Sequence, residues 1–140
     1  MHEKQTEQED EEKTKQFKYI NLGRLHDITK SKPKLMLELI SAYLEQTPSL
    51  VKAMKESLQQ KDWNLLQAAA HKMIPSFSIV GIDVKYEDIA KKIQEHASAK
   101  QHLAELQELV PKIETICMQA CKELEEEFNI IKHEQNISQS

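Results

Sequence analysis

The chain has 140 residues, of which 39% are hydrophobic and 30% charged, with two Gly, four Pro and a formal net charge of −4. That length suits one domain with a real core, and a composition rich in Leu, Ala, Glu, Lys and Gln predicts helices and argues against a sheet. Lys and Arg are spread along the chain, so no basic footprint for nucleic acid exists; no apolar run nears the roughly 20 residues of a membrane span, and no signal-peptide pattern opens the sequence, so a soluble cytoplasmic protein is expected.

Residues 1–16 are dominated by Glu, Lys and Gln and read as a polar tail. The domain is expected to cover 17–131, with a second polar tail over 132–140. A short helix is predicted at about 21–30, with Leu22, Leu25 and Ile28 on one side. The next begins near Pro33, a residue suited to a first helical turn, and carries Leu35, Met36, Leu39, Ile40 and Tyr43. Leu50, Val51, Met54 and Leu58 continue its apolar face past Thr47-Pro48, so one long, kinked helix to about residue 60 is expected.

Asp62 is a good N-cap for the following helix, and Gly81 is placed to end it in the left-handed conformation. Asp83 caps the next, which is expected to bury Val84, Ile89 and Ile93 and to run to about 97. The final helix, about 101–130, carries Leu103, Leu106, Val110, Ile113, Cys117, Ala120, Leu124 and Phe128, with Pro111 inside it. Four long amphipathic helices with short links make an all-α antiparallel four-helix bundle, the short first helix covering one end. Cys117 and Cys121 are four apart on one helix, a poor disulfide geometry, and read as reduced core thiols.

The strongest helical pattern spans Trp63 to Val80. Trp63, Leu66, Ala70, Met73, Phe77 and Val80 recur at alternating steps of three and four, which defines one buried face. His71 projects about 130° from the centre of that stripe. Its surface neighbours are Gln67, Ala68, Ile74, Pro75 and Ser78, among which there is no carboxylate to orient it and no thiol. A hydrolase or a metal site needs converging groups that this face lacks. What it offers is clearance, since Ala68 and Ser78 are small, and an apolar patch in Ile74 and Pro75. A neutral imidazole so presented is a competent nitrogen nucleophile. Gln67, one turn earlier, is placed to hydrogen-bond the ring, and Pro75 withholds the N–H that would bond the carbonyl of residue 71.

The run Ala70-His71-Lys72-Met73-Ile74-Pro75-Ser76-Phe77-Ser78-Ile79-Val80-Gly81 resembles the phosphorylation motif of histidine-containing phosphotransfer (HPt) domains. Tyr43-Leu-Glu-Gln-Thr-Pro48 and Lys61-Asp-Trp63 resemble that family's preceding helix and turn, and the resemblance covers roughly 20–130. It implies a four-helix bundle that relays phosphoryl groups between the aspartates of response-regulator receiver domains. His71 would then be the phosphoacceptor, with Lys72 and Gln67 supporting it. Ala68, Ile74, Pro75, Ser78 and Ile40 would form the receiver-docking face. No cofactor of its own is implied, because the receiver brings the aspartate and Mg²⁺. The family usually has Lys three and Gly four residues after the histidine, where this chain has Ile74 and Pro75; a subclass with Pro at the fourth position and an aromatic at the sixth also resembles this segment. Lys72 becomes the cation adjacent in sequence to His71, about 100° further round the helix.

Other readings stay open. An adaptor of the same fold would bind receivers without accepting phosphate, and a hybrid histidine kinase is a further possible partner. The phosphoacceptor domain of a histidine kinase resembles His-Glu with Pro five residues on, which differs here, and no glycine-rich ATP-binding segment is present. A metal- or haem-binding bundle would need inward-facing ligands. His2, His26, His96, His102 and His133 read as surface histidines.

Overall fold

A computed structural model describes residues 17–139, with side chains described over 17–136; the 1–16 tail reading and His2 lie outside the described residues. Among these residues there are five helices and no strand: α1 Gly23–Thr29, α2 Pro33–Gln60, α3 Trp63–Ile79, α4 Val84–Ala99 and α5 Leu103–Gln139. Helices α2 to α5 form an antiparallel ring in which each packs on its sequence neighbours and α5 closes onto α2, while α1 touches α2 and α3. The expected all-α four-helix bundle with a short extra helix is the architecture observed. Links of two to four residues leave consecutive helices no choice but to fold back on each other.

Local signals set the boundaries. Pro33 occupies the first turn of α2. The Asp62 carboxylate accepts from the Leu65 N–H at 3.1 Å to start α3, and Asp83 accepts from the Lys85 N–H at 2.9 Å to start α4. Gly81 has φ of 75°. Any Cβ there would overlap the carbonyl of Asn21, so both its dihedral and its surroundings demand glycine. Lys30, Lys61 and Lys100 end α1, α2 and α4 in the same left-handed conformation, their N–H groups turned back onto the preceding turn.

Three prolines sit inside helices, Pro48 in α2, Pro75 in α3 and Pro111 in α5. Each removes a backbone bond at a cost of about 3 kcal/mol in a helix interior. Burial on both sides carries the chain through: Tyr43, Thr47, Val51 and Met54 flank Pro48, and Met73 and Phe77 flank Pro75. The stripe of α3 packs as expected, with Leu66, Ala70, Met73, Phe77 and Val80 fully buried and Trp63 partly so. Each large side chain there contributes roughly 1.5–3 kcal/mol.

Several expectations need correction. Val84 is 65% exposed, because it is the first residue of α4 and leads the bundle's edge; Ile93 is buried as expected, Ile89 is half-buried, and Ala90 and Ala97 complete that helix's buried seam. Ile28 also faces out. The 132–140 segment, read as a tail, continues α5 to Gln139, and Ile131 is buried just before it. Cys117 and Cys121 are free and buried, as expected. Burial pushes their thiols up to about 12 and about 11 respectively, which leaves them unreactive near neutral pH.

Two buried polar groups stand out. Glu123 on α5 accepts from the Tyr19 N–H at 3.0 Å and the Ile20 N–H at 3.2 Å through one carboxylate oxygen, and Gln119 donates to the other at 3.4 Å. It ties the segment before α1 to the bundle. Tyr43 lies near Thr47 and Cys117, yet its buried hydroxyl makes no well-formed hydrogen bond, and burial drives its pKa far upward. Glu123→Ala is expected to lose roughly 2–3 kcal/mol in urea unfolding and to speed proteolysis between residues 17 and 22. Tyr43→Phe, by contrast, is expected to be neutral or to gain about 1 kcal/mol in the same measurement.

Candidate functional site

The solvent-facing ridge of α3 is Asn64, Ala68, His71, Pro75 and Ser78, at alternating steps of four and three, and all five are exposed. The opposite face is the buried stripe, so the core itself forces the imidazole outward. Small or cyclic neighbours above and below leave the ring open to a large partner. Grooves of 440, 350, 370 and 500 Å³ elsewhere on the bundle are lined without His71, which is itself exposed.

The ring is held from the facing helix. The Gln94 carboxamide of α4 lies 3.1 Å from His71 Nδ1. In this orientation the amide nitrogen faces the ring and donates, which places the imidazole proton on Nε2. With the carboxamide turned over, Oε1 accepts from Nδ1–H and the Nε2 lone pair points to solvent. Either way Nε2 is the nitrogen left outside this contact, on an exposed side chain. His71 and Gln94 lie symmetrically about the Ile82–Asp83 turn, so an antiparallel α3–α4 hairpin brings them level. That symmetry is present in the sequence, and pairing residues across the turn would have found Gln94.

The expected supporting residues fare differently. Gln67 is half-buried one turn before His71, and Gln94 takes the ring-bonding role expected of it. Lys72 is exposed but projects about 100° round the helix, on the flank away from Gln94. Ala68, Pro75 and Ser78 are exposed around the ring, and Ile74 is half-buried on the α4 side. Ile40 has no exposed surface: it points from α2 into the core, so it cannot belong to a docking face.

The other histidines have their own partners or lie elsewhere. His96 is half-buried, 3.1 Å from Glu105, with its ring centroid 4.9 Å from that of His102 and the planes tilted by 46° across the α4–α5 link. His26 bonds Ser31 at 2.9 Å, and His133 is exposed. Among the described residues no group of three or more His, Cys, Asp or Glu is placed to hold a metal, and no helix is long and apolar enough to cross a membrane. Among the described residues no carboxylate or thiol is hydrogen-bonded to the ring, and the group it offers is a ring nitrogen on an exposed side chain.

No family model matches the chain, and no curated protein matches it. A solved structure does: the crystal structure of histidine-containing phosphotransfer protein B (HptB) from Pseudomonas aeruginosa PAO1, with a TM-score of 0.70 and 16% sequence identity. The match covers 80% of this chain and 96% of that one. The bundle is therefore of the HPt kind in fold. The side-chain geometry at His71 has its own test: Gln94→Leu is expected to move the ring ¹⁵N shifts from one dominant tautomer toward the mixture of a free imidazole, with the helical circular dichroism unchanged.

Proposed function

We propose that this chain is a histidine phosphocarrier of a two-component phosphorelay. It takes a phosphoryl group onto His71 from a receiver-domain aspartyl phosphate and passes it to another receiver. The observation that carries this reading is the exposed imidazole, steadied at Nδ1 by Gln94, on the open flank of an HPt-type bundle. In the tautomer that keeps the proton on Nδ1, with Gln94 Oε1 accepting it, attack by the Nε2 lone pair forms the N–P bond as the P–O bond to the aspartate breaks, and the carboxylate leaves with that electron pair. Onward transfer is the reverse at a second aspartate.

Such transfer is mostly positioning and charge neutralisation, so it asks little of the carrier beyond a presented ring. The receiver supplies the nucleophilic carboxylate and Mg²⁺. Ala68, Pro75 and Ser78, with the partly exposed edge of Ile74, form the docking face, and the small side chains let a receiver loop approach the ring. Ile74 and Pro75 make the chain a variant of the family's usual Lys and Gly pattern. The domain does not phosphorylate itself from ATP; receivers, free or within a hybrid kinase, are its partners, in the cytoplasm.

That same departure at Ile74 and Pro75 favours a second reading, an adaptor that binds receivers without accepting phosphate. Incubation with phosphorylated receivers and Mg²⁺ separates the two. The wild type is expected to gain acid-labile, alkali-stable label, and His71→Gln to gain none. Label retained by that variant would move the acceptor elsewhere, and tight receiver binding without label from several donors would establish the adaptor.

A further inference from the structure

We propose that Lys91, from the helix facing His71, is the cation that binds the phosphoryl group on the ring. The inference rests on His71 as the ring that carries phosphate. A phosphoryl group brings a charge of about −1.5 to −2 and three acceptor oxygens, which need a partner at an exposed ring. On the α4 side of His71, α3 itself offers only Gln67, Ile74 and Ser78, and Lys72 is turned to the other flank.

The Gln94–His71 contact fixes which part of α4 lies alongside the ring. One turn back from Gln94 stands Lys91, a further turn back Glu87, and one turn forward Ser98. Steps of four, three and four put these residues on a single stripe along the flank that faces α3. Lys92, Asp88, Glu95 and Lys85 project away from that stripe. Lys91 is therefore displaced from His71 by about 4.5 Å along the helix axis, opposite Ile74, the position from which the chain's own helix supplies no charge.

Lys91 Nζ lies 3.3 Å from the Glu87 carboxylate, with the lysine side chain 49% exposed and the glutamate 19%. This i,i+4 pair holds the ammonium on the α3 side of α4. With its ammonium half exposed to water the pair is weakly held, so a dianion at Nε2 outcompetes a single carboxylate for the same ammonium. The four-carbon stem supplies the reach across neighbouring helices, whose axes are about 8–10 Å apart.

The test uses potassium phosphoramidate, a small anionic donor that phosphorylates exposed imidazole with loss of ammonia and needs no receiver. The rate of phosphohistidine formation is followed by ³¹P NMR, with His71→Gln defining the signal that belongs to this ring. Lys91→Gln is expected to slow labelling of His71 about five-fold, Lys91→Arg to restore it, Glu87→Gln to raise it, and Lys72→Gln to leave it within about two-fold. Thermal melts of each variant check that the bundle is intact. Unchanged labelling in Lys91→Gln, a loss in Lys72→Gln instead, or a wild-type ring that phosphoramidate does not label would overturn the assignment. Because no receiver takes part, failed transfer from receivers counts against the phosphocarrier reading alone.

Discussion

The corner between α3 and α4 is the constraint on which the rest of the structure depends. Gly81 turns there with a positive φ, and the Asn21 backbone occupies the space where any side chain would be. The Asn21 N–H donates to the Val80 carbonyl at 3.0 Å across the same point. Because both arms are regular helices, fixing the corner fixes every level pair above it, including the imidazole and its carboxamide. A one-residue change in this link would rotate α4 by about 100° and carry Gln94 away from the ring.

The parts of the fold written in local signals were readable without coordinates. Asp62 and Asp83 announce helix starts because a carboxylate at that position satisfies otherwise bare N–H groups. The α3 stripe and the outward placement of His71 follow from periodicity alone, since one buried face determines what lies opposite. The long run of α2 through Pro48 was legible for the same reason: its apolar face does not break at the proline.

What the sequence hid depends on partners distant along the chain. Ile40 and the neighbouring apolar residues of α2 outnumber a single stripe, and only packing shows that Ile40 goes inward and Leu37 remains partly exposed. Val84 looks like core by type but leads its helix at the rim. Glu123 is a charged residue among charged residues, and its burial has meaning only with Tyr19 and Ile20, more than one hundred positions earlier, laid across it. The final polar turns of α5 carry no breaker, so nothing stops a helix already anchored through Leu124 and Ile131.

The helices also differ in length. At about 1.5 Å per residue, α2 with 28 residues and α5 with 37 far outreach α3 with 17 and α4 with 16. The short pair leaves a step at the top of the tall pair, and Ile20, Leu25 and α1 fill it, tied down by Glu123 beneath and Val80 beside. The short pair is thus wedged from its end as well as gripped along its sides. Loosening in this molecule should accordingly begin as a keystone does, with the whole α3–α4 arm, imidazole included, shifting as one block once the filler is lifted, rather than unwinding turn by turn.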